Sequence, residues 1–174
     1  LDDLMREVFS VLLAQDNSVN TSRGETKELV GATIRLSNPR ARLSRSETRG
    51  KAFSCIGEFL WYMSGSNSLE FIEYYIPRYK DESEDGATIF GAYGPRFFDF
   101  DGQNQIENVI KLLTAKPNTR RAVIQIFSAN DIAQHRKEIP CTCTLQFLLR
   151  ENHLHLSVSM RSNDAFFGLP HDVF

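Results

Sequence analysis

The sequence has few cysteines and histidines and little net charge, and each shortage excludes a class of protein. Three cysteines are an odd count, which argues against a disulfide framework and favours a reducing compartment, so we expect a cytoplasmic protein. The cysteines and the four histidines show no spacing typical of a zinc site, and we expect no metal. The net charge of −2 gives no sign of a surface that binds nucleic acid.

Long apolar runs and phosphate loops are also missing. No segment approaches the roughly 18 apolar residues of a membrane span, and no secretory signal follows Leu1, so we expect no membrane partner. No glycine-rich loop of the P-loop type is present, so arginines must hold any phosphate. Hydrophobic residues at 41% and charged residues at 24% are the ordinary balance of a globular chain, and we expect residues 1–174 to form a single domain.

Apolar periodicity predicts an α+β fold. Asp2 or Asp3 is the expected cap of the first helix. Helical spacing of apolar residues covers 2–14, 52–63 and 105–113. Strand-like alternation covers 29–36, 122–127, 143–149 and 154–160. We expect a mostly antiparallel or mixed sheet with helices packed on one face, and a hairpin between the last two strands.

One thiol and one arginine form a candidate reactive pair. The stretch 140–147 places Cys141 directly after a proline, and about twenty residues later Arg161 is followed by Ser162. A cysteine is a good nucleophile when a nearby cation stabilises its thiolate, so Cys141 is a candidate nucleophile with Arg161 as its cation. Cys143 lies two residues further on and would share a strand face with Cys141, so the pattern alone leaves both thiols open.

These stretches resemble the thymidylate synthase family, which also includes the cytidylate hydroxymethylases. The resemblance implies an α+β, thymidylate synthase-like fold and a Cys141 thiolate that attacks C6 of a pyrimidine nucleoside monophosphate, with a one-carbon unit from 5,10-methylenetetrahydrofolate. Members usually continue well beyond Gly-Leu-Pro, so we expect this chain to lack the C-terminal part of a typical member. The motifs that carry the resemblance are Pro140-Cys141, Gln146-Phe147, Arg161-Ser162-Asn163-Asp164 and Gly168-Leu169-Pro170.

The resemblance implies roles for further residues. Glu58 matches a glutamate that organises water and proton transfer, and Tyr93 matches a tyrosine beside the cysteine. Asp164 matches an aspartate of the substrate and folate network, and Tyr79 and Gly168 fall in the folate region. In the family homodimer, the arginine pair that matches the two residues before the predicted strand at 122–127 binds phosphate in the partner subunit. The implied phosphate ligands are Arg23, Arg161 and Ser162, with Arg120 and Arg121 acting in trans.

Three departures from the family pattern bear on the reaction. Pro-Cys-His of the family has Thr142 in place of histidine, and Tyr79 stands in a region where methylating members carry tryptophan. Methylating members end in Gly-Leu-Pro-Phe-Asn, whereas this chain has Asp172 in place of the asparagine that reads uracil. A carboxyl group there matches cytosine. The resemblance therefore implies hydroxymethylation of dCMP, or CMP, with methylation of dUMP to dTMP as the alternative.

Two interpretations from other classes stay open. Cys141 and Cys143 would also suit a cytosolic thiol redox protein. A chain that kept the fold but lost the chemistry would be a nucleotide-binding module. Protection of Cys141 by a nucleotide would separate the enzyme from the redox protein.

Overall fold

The computed structural model describes residues 1–16, 18–21, 24–44 and 52–174. Contacts within the chain define two compact units, one made of 1–52 with 164–174 and the other of 53–163. Within the described ranges, no helix is both long and apolar enough to cross a membrane.

The first unit contains one long helix, a small hairpin and a short helix. Its elements are α1 (Asp2–Leu13), the antiparallel pair β1 (Val19–Thr21) and β2 (Gly24–Thr26), and later in the chain a helix at Gly168–Asp172. The predicted first helix is confirmed, but its expected caps are wrong. The helix starts after Leu1 without a side-chain cap, because Asp3 pairs with Arg6 at 2.8 Å and Asp2 accepts from Ser44 Oγ at 2.6 Å.

The strand predicted at 29–36 is also wrong. The segment is irregular, with a turn at Val30 and Gly31. Gly31 has φ +69°, a conformation that interrupts an extended run, and Val30 is 93% exposed. Alternation of apolar residues was therefore not a sign of burial here.

The second unit holds an antiparallel sheet and the remaining helices. Its helices are α2 (Ala52–Met63), α3 (Leu69–Glu73), α4 (Tyr79–Glu82), α5 (Tyr93–Phe98) and α6 (Gln105–Ala115), and its strands are β3 (Val123–Gln125), β4 (Thr142–Arg150) and β5 (His153–Met160). We number the short helix of the first unit α7 (Gly168–Asp172). The predicted helices at 52–63 and 105–113 are confirmed, and so are the three predicted strands of this unit, with shifted bounds.

The sheet has the order β3-β4-β5, and its two ladders are antiparallel. Glu151 and Asn152, with φ 49° and 60°, make the tight turn of the predicted hairpin between β4 and β5. Helices α5 and α6 pack on one face, around a core in which Ala122, Ile124 and Ile126 are fully buried. The α+β class with helices on one sheet face is confirmed.

The start of β4 is irregular where the sequence predicted regular alternation. Cys141 precedes the strand, and the register shifts between Thr142 and Thr144. The carbonyl of Cys143 accepts both the Ile126 N–H at 2.9 Å and the next N–H at 3.2 Å, a pattern typical of a β-bulge. Cys141 thus lies outside the strand and Cys143 lies at the bulge. The prediction assumed that both cysteines belong to one regular strand, and that assumption is wrong.

Candidate active site

Arg161 lies against the loop that leads into β4. Its Nε donates to the Pro140 carbonyl at 2.9 Å and its Nη2 to the Ile139 carbonyl at 3.0 Å, while its backbone N–H donates to the Cys141 carbonyl at 2.9 Å. The same Nη2 lies 3.7 Å from Cys141 Sγ. Neutral carbonyls thus hold a cation in contact with the thiol, which is the arrangement that favours a thiolate.

Tyr93 links this loop to the helices. Its hydroxyl oxygen accepts the Thr142 N–H at 3.1 Å, one residue beyond the thiol. Tyr93 begins α5, whose second residue, Gly94, lies directly against the turn that follows α2. A Cβ on Gly94 would lie 2.7 Å from the Ser66 carbonyl oxygen, so only glycine allows this approach.

An aromatic group continues from Tyr93 to Glu58. The Tyr93 ring stacks on Tyr62, with centroids 4.9 Å apart and planes 16° apart. Tyr62 lies one helical turn after Glu58 on α2, and the Tyr79 hydroxyl donates to Glu58 Oε1 at 2.6 Å. Burial, helped by the Glu58 charge, raises the pKa of both phenols well above 10.0, so both remain protonated donors at neutral pH.

These contacts bring five of the predicted site residues into one connected set. The set runs from the Glu58 carboxylate through stacked phenols to the cysteine loop, which we define as 138–141, and to the guanidinium beyond it. Sequence reasoning missed Tyr62, although its spacing of four residues from Glu58 on α2 was a signal that the two share a helix face. The five are Glu58, Tyr79, Tyr93, Cys141 and Arg161.

Sequence reasoning also missed Glu138. Its Oε2 accepts the Gly91 N–H at 3.0 Å. Burial raises the pKa of Glu138 from 4.5 to about 7, against the opposing effects of that hydrogen bond and of nearby arginines. An acid three residues before the cysteine was visible in the sequence, but its partner lies 47 residues away.

The paired arginines lie at the other end of the sheet. Arg120 and Arg121 are exposed and directly precede β3. The ladder pairs Val123 with Gln146, which places Arg121 level with Leu148. At about 3.3 Å per residue, that position is roughly 20 Å along β4 from Cys141. Of the other predicted phosphate ligands, Ser162 is exposed directly after Arg161, and Arg23 lies outside the described residues.

In the first unit, Asp164 shapes the entry to α7. Its Oδ1 accepts the N–H groups of Phe166 at 2.7 Å and Phe167 at 2.8 Å, and its carbonyl accepts from Leu169 at 2.7 Å. Gly168 is the half-buried first residue of α7, and Asp172 is its exposed last residue.

A family model for thymidylate synthase matches residues 2–174. The chain belongs to the thymidylate synthase family. Among its relatives, the deoxyuridylate hydroxymethyltransferase of Delftia phage PhiW-14 is 31% identical over 158 residues, which cover 83% of this chain and 43% of that protein. The deoxyuridylate hydroxymethyltransferase of Bacillus phage SP01 is 28% identical over 178 residues, 95% of this chain and 46% of that protein.

A comparison of structures agrees with the family model. The crystal structure of thymidylate synthase from T4 phage matches with a TM-score of 0.79 at 22% identity, over 97% of this chain and 64% of that one. This similarity confirms the thymidylate synthase-like fold. The chain spans less than half the length of the two hydroxymethyltransferases.

Proposed function

We propose that the protein transfers a one-carbon unit to C5 of a pyrimidine nucleoside monophosphate, with Cys141 as nucleophile. The observation that carries this proposal is the 3.7 Å contact between Arg161 Nη2 and Cys141 Sγ in a chain of this family. C5 of a pyrimidine is a weak nucleophile. Addition of the thiolate to C6 makes the ring an enamine, so that C5 reacts, and elimination of the thiolate later restores the ring.

In the proposed reaction, Glu58 transfers a proton and a tyrosine ring provides a surface on which the folate stacks. Glu58, which accepts a hydrogen bond from the protonated Tyr79 phenol, is the proposed group that orients water and moves a proton. The co-substrate 5,10-methylenetetrahydrofolate supplies the one-carbon unit. The half-buried ring of Tyr79 suits it, because flat heterocycles stack on aromatic faces. We further propose that Tyr79, Asp164 and Gly168 contact the folate.

We propose that the protein acts as a homodimer with shared phosphate sites. Arg23, Arg161 and Ser162 would bind phosphate within a subunit, and Arg120 and Arg121 would act in the partner subunit. The distance of roughly 20 Å from Cys141 along the sheet supports a role in trans. A forked guanidinium binds phosphate through two hydrogen bonds at once, which suits arginine to this task.

Mixing inactive chains tests this arrangement. Arg120→Ala/Arg121→Ala chains and Cys141→Ala chains are each expected to be inactive. After mixing in equal amounts and exchange of subunits, about a quarter of the sites would combine an intact cysteine with intact arginines. Recovery of about that share of turnover is the expected result. No recovery, with mixed dimers demonstrated by native mass spectrometry, would exclude the shared site.

For the base and product, we propose C5-hydroxymethylation of a cytidylate. Uracil presents an acceptor at O4 and a donor at N3, which an asparagine amide matches. Cytosine presents an amino donor at C4 and an acceptor at N3, and a protonated carboxyl at Asp172 matches both. Against uracil, the ionised carboxylate would meet the O4 acceptor without a donor, which is a costly mismatch once the bound base covers the contact. Ser162 follows the pattern of members that use deoxynucleotides, so dCMP is favoured over CMP.

A second candidate is hydroxymethylation of dUMP. It is favoured by the names of the two phage relatives, which are deoxyuridylate hydroxymethyltransferases. Both candidates release the folate as tetrahydrofolate, because water and not hydride adds to the C5 methylene. Methylation of dUMP to dTMP is the remaining alternative of this class, and it releases dihydrofolate.

One assay separates the three reactions. The protein is incubated with methylenetetrahydrofolate and dCMP, CMP or dUMP, and the nucleotide and folate products are identified by mass spectrometry. The expected product is 5-hydroxymethyl-dCMP, and Asp172→Asn should shift the preference toward dUMP. Asp3→Asn, which makes the same change at an exposed residue of α1, is the matched control. Conversion of dUMP to dTMP with cytidylates untouched would contradict the proposal.

Alkylation of the cysteines tests the proposals from other classes. Protection of Cys141, and not of Cys143, by the nucleotide is expected for the transferase. A disulfide that forms irrespective of the nucleotide would indicate a redox protein. A binding module would give two results together: the wild-type protein shows no turnover, and the Cys141→Ala variant binds the nucleotide as tightly as the wild type.

A further inference from the structure

Glu138 holds the cysteine loop against the turn that leads to Tyr93. Its Oε2 accepts the Gly91 N–H at 3.0 Å, and Gly91 is a buried residue two positions before Tyr93. A Cβ on Gly91 would overlap Oε2 and lie 2.8 Å from the carboxyl carbon, so the carboxyl group sits directly against bare backbone. One hydrogen bond thus connects the segment of the proposed nucleophile with the segment of the active-site tyrosine.

Four charged or titratable groups face this carboxyl from neighbouring elements. Glu82 of α4 adds negative charge, while Arg96 of α5 and Arg161 after β5 add positive charge. Tyr79 of α4 lies close enough for the Glu138 charge to raise the pKa of its phenol. Burial outweighs these effects and raises the pKa of Glu138 to about 7, so both protonation states are populated at neutral pH.

Arg161 connects the thiol with the segment of Glu138. Its Nη2 contacts Cys141 Sγ at 3.7 Å and donates to the carbonyl of Ile139, the residue after Glu138, at 3.0 Å. Its charge also favours the anion of Glu138. Two acids beside one cation titrate as a coupled pair, because ionisation of the first makes ionisation of the second less favourable. An ionised Glu138 therefore raises the free energy of the Cys141 thiolate. When Glu138 is neutral, the charge of the Arg161 guanidinium stabilises the thiolate more strongly.

We propose that Glu138 is a positioning residue: its carboxyl fixes the cysteine loop on the Gly91 N–H, and its charge sets, through Arg161, the fraction of Cys141 present as thiolate. The inference rests on Cys141 as the nucleophile of the proposed function. Its test reads the thiolate directly, without nucleotide or turnover.

The test is the rate of Cys141 alkylation by iodoacetamide from about pH 6 to 9, assigned to each cysteine by fragment ions in mass spectrometry. Glu138→Gln keeps the side-chain size and an oxygen for the Gly91 N–H but removes the charge. We expect the apparent pKa of Cys141 to fall by about half to one unit, and alkylation at neutral pH to become roughly three- to tenfold faster. Glu107→Gln is the matched control, because that exposed carboxylate pairs with Lys111 on α6 and not with the loop, and we expect the wild-type profile.

The wild-type protein gives a second measurement that needs no variant. Coupling to Glu138 predicts a Cys141 profile that departs from a single titration, with an inflection near pH 7 that is absent in Glu138→Gln. A simple one-step profile, or identical profiles for wild type and Glu138→Gln, would overturn the inference and leave the transferase proposal standing. A shifted profile in a protein that turns over no nucleotide would reject the transferase proposal alone.

Discussion

Two arginines of the same structural unit have opposite surroundings. Arg96 is 7% exposed and forms a two-pronged pair with Asp131 at 2.8 and 2.7 Å, and it also donates to the Ile126 carbonyl at 2.7 Å. Arg161 is exposed, and its guanidinium donates to two backbone carbonyls and to the Cys141 sulfur. One guanidinium is neutralised by a carboxylate inside the core, and the other keeps its charge at the surface.

The difference shows how the same side chain becomes structural or reactive. A buried guanidinium matched by a carboxylate has little field left for a ligand, and its removal leaves an isolated buried charge. A guanidinium held by neutral carbonyls is equally well oriented, but its full charge remains for a thiolate or a phosphate. A guanidinium can thus be held in place by carbonyls without being neutralised by a carboxylate, and substitutions at the two arginines can test each effect.

The largest expected effect on stability is at the buried pair. Arg96→Met would leave the Asp131 carboxylate buried without its cation and should lower the free energy of unfolding by about 3–5 kcal/mol. Urea denaturation followed by circular dichroism measures the change.

The control for this loss is a double variant. Asp131→Asn removes the charge but keeps an oxygen for the Ser128 N–H, which Asp131 Oδ2 accepts at 2.7 Å. Arg96→Met/Asp131→Asn should therefore be more stable than Arg96→Met alone. Additive losses from the two substitutions would show that the charge pair is not the cause.

At the exposed arginine we expect the reverse balance. Arg161→Lys keeps the charge but loses the fork that binds two carbonyls, so the free energy of unfolding should change by less than about 1 kcal/mol. Turnover should fall roughly 10- to 100-fold, since an oriented hydrogen bond to a charged group contributes about 1.5–3 kcal/mol. Steady-state kinetics and urea denaturation on the same preparation measure both quantities.

The same substitution at Arg150, whose Nη1 donates to the Leu149 carbonyl at the end of β4, is the matched control. Arg150→Lys should alter neither turnover nor stability. A loss of stability in Arg161→Lys as large as that in Arg96→Met would contradict the separation between the two arginines.

The contrast also marks the limit of sequence analysis. Periodicity located α6 and β4, whose Val109, Leu145 and Phe147 pack in one core. It also located α2, whose Trp61 packs in a second core, and β5, although the apolar residues of β5 are exposed. The same criterion was wrong at 29–36, where Gly31 turns the chain. Motif and charge chemistry singled out Cys141 with Arg161, which the structure places in contact.

The residues that escaped prediction are defined by distant partners. Glu138 binds the backbone of Gly91, and Arg96 binds Asp131 35 residues away. Backbone N–H groups carry no sequence signal, and a lone arginine gives no indication of which carboxylate it will meet. Such contacts follow from the packing of elements and not from local pattern.

The last expected effect depends on pH and concerns Glu138, whose carboxylate is favoured by the charges of both Arg96 and Arg161. Its pKa is raised from 4.5 to about 7 in the folded state, so folding favours the neutral form. Its contribution to stability is therefore fully present below about pH 4.5 and is lost as the pH rises through about 7. Glu138→Gln cannot ionise. It should thus match wild type near pH 4.5 and exceed its free energy of unfolding by up to about 3 kcal/mol at pH 8, because each pKa unit corresponds to about 1.4 kcal/mol.

Glu84 provides a control of opposite sign. Hydrogen bonds from the Lys137 N–H and from Arg136 lower the pKa of Glu84, so its contribution is present above its ordinary value of 4.5 and is lost as the pH falls. Glu84→Gln should therefore be no more stable than wild type at pH 8. Urea denaturation at both pH values measures each difference. A gain for Glu138→Gln that is independent of pH would show that packing, and not the buried charge, limits stability at this position.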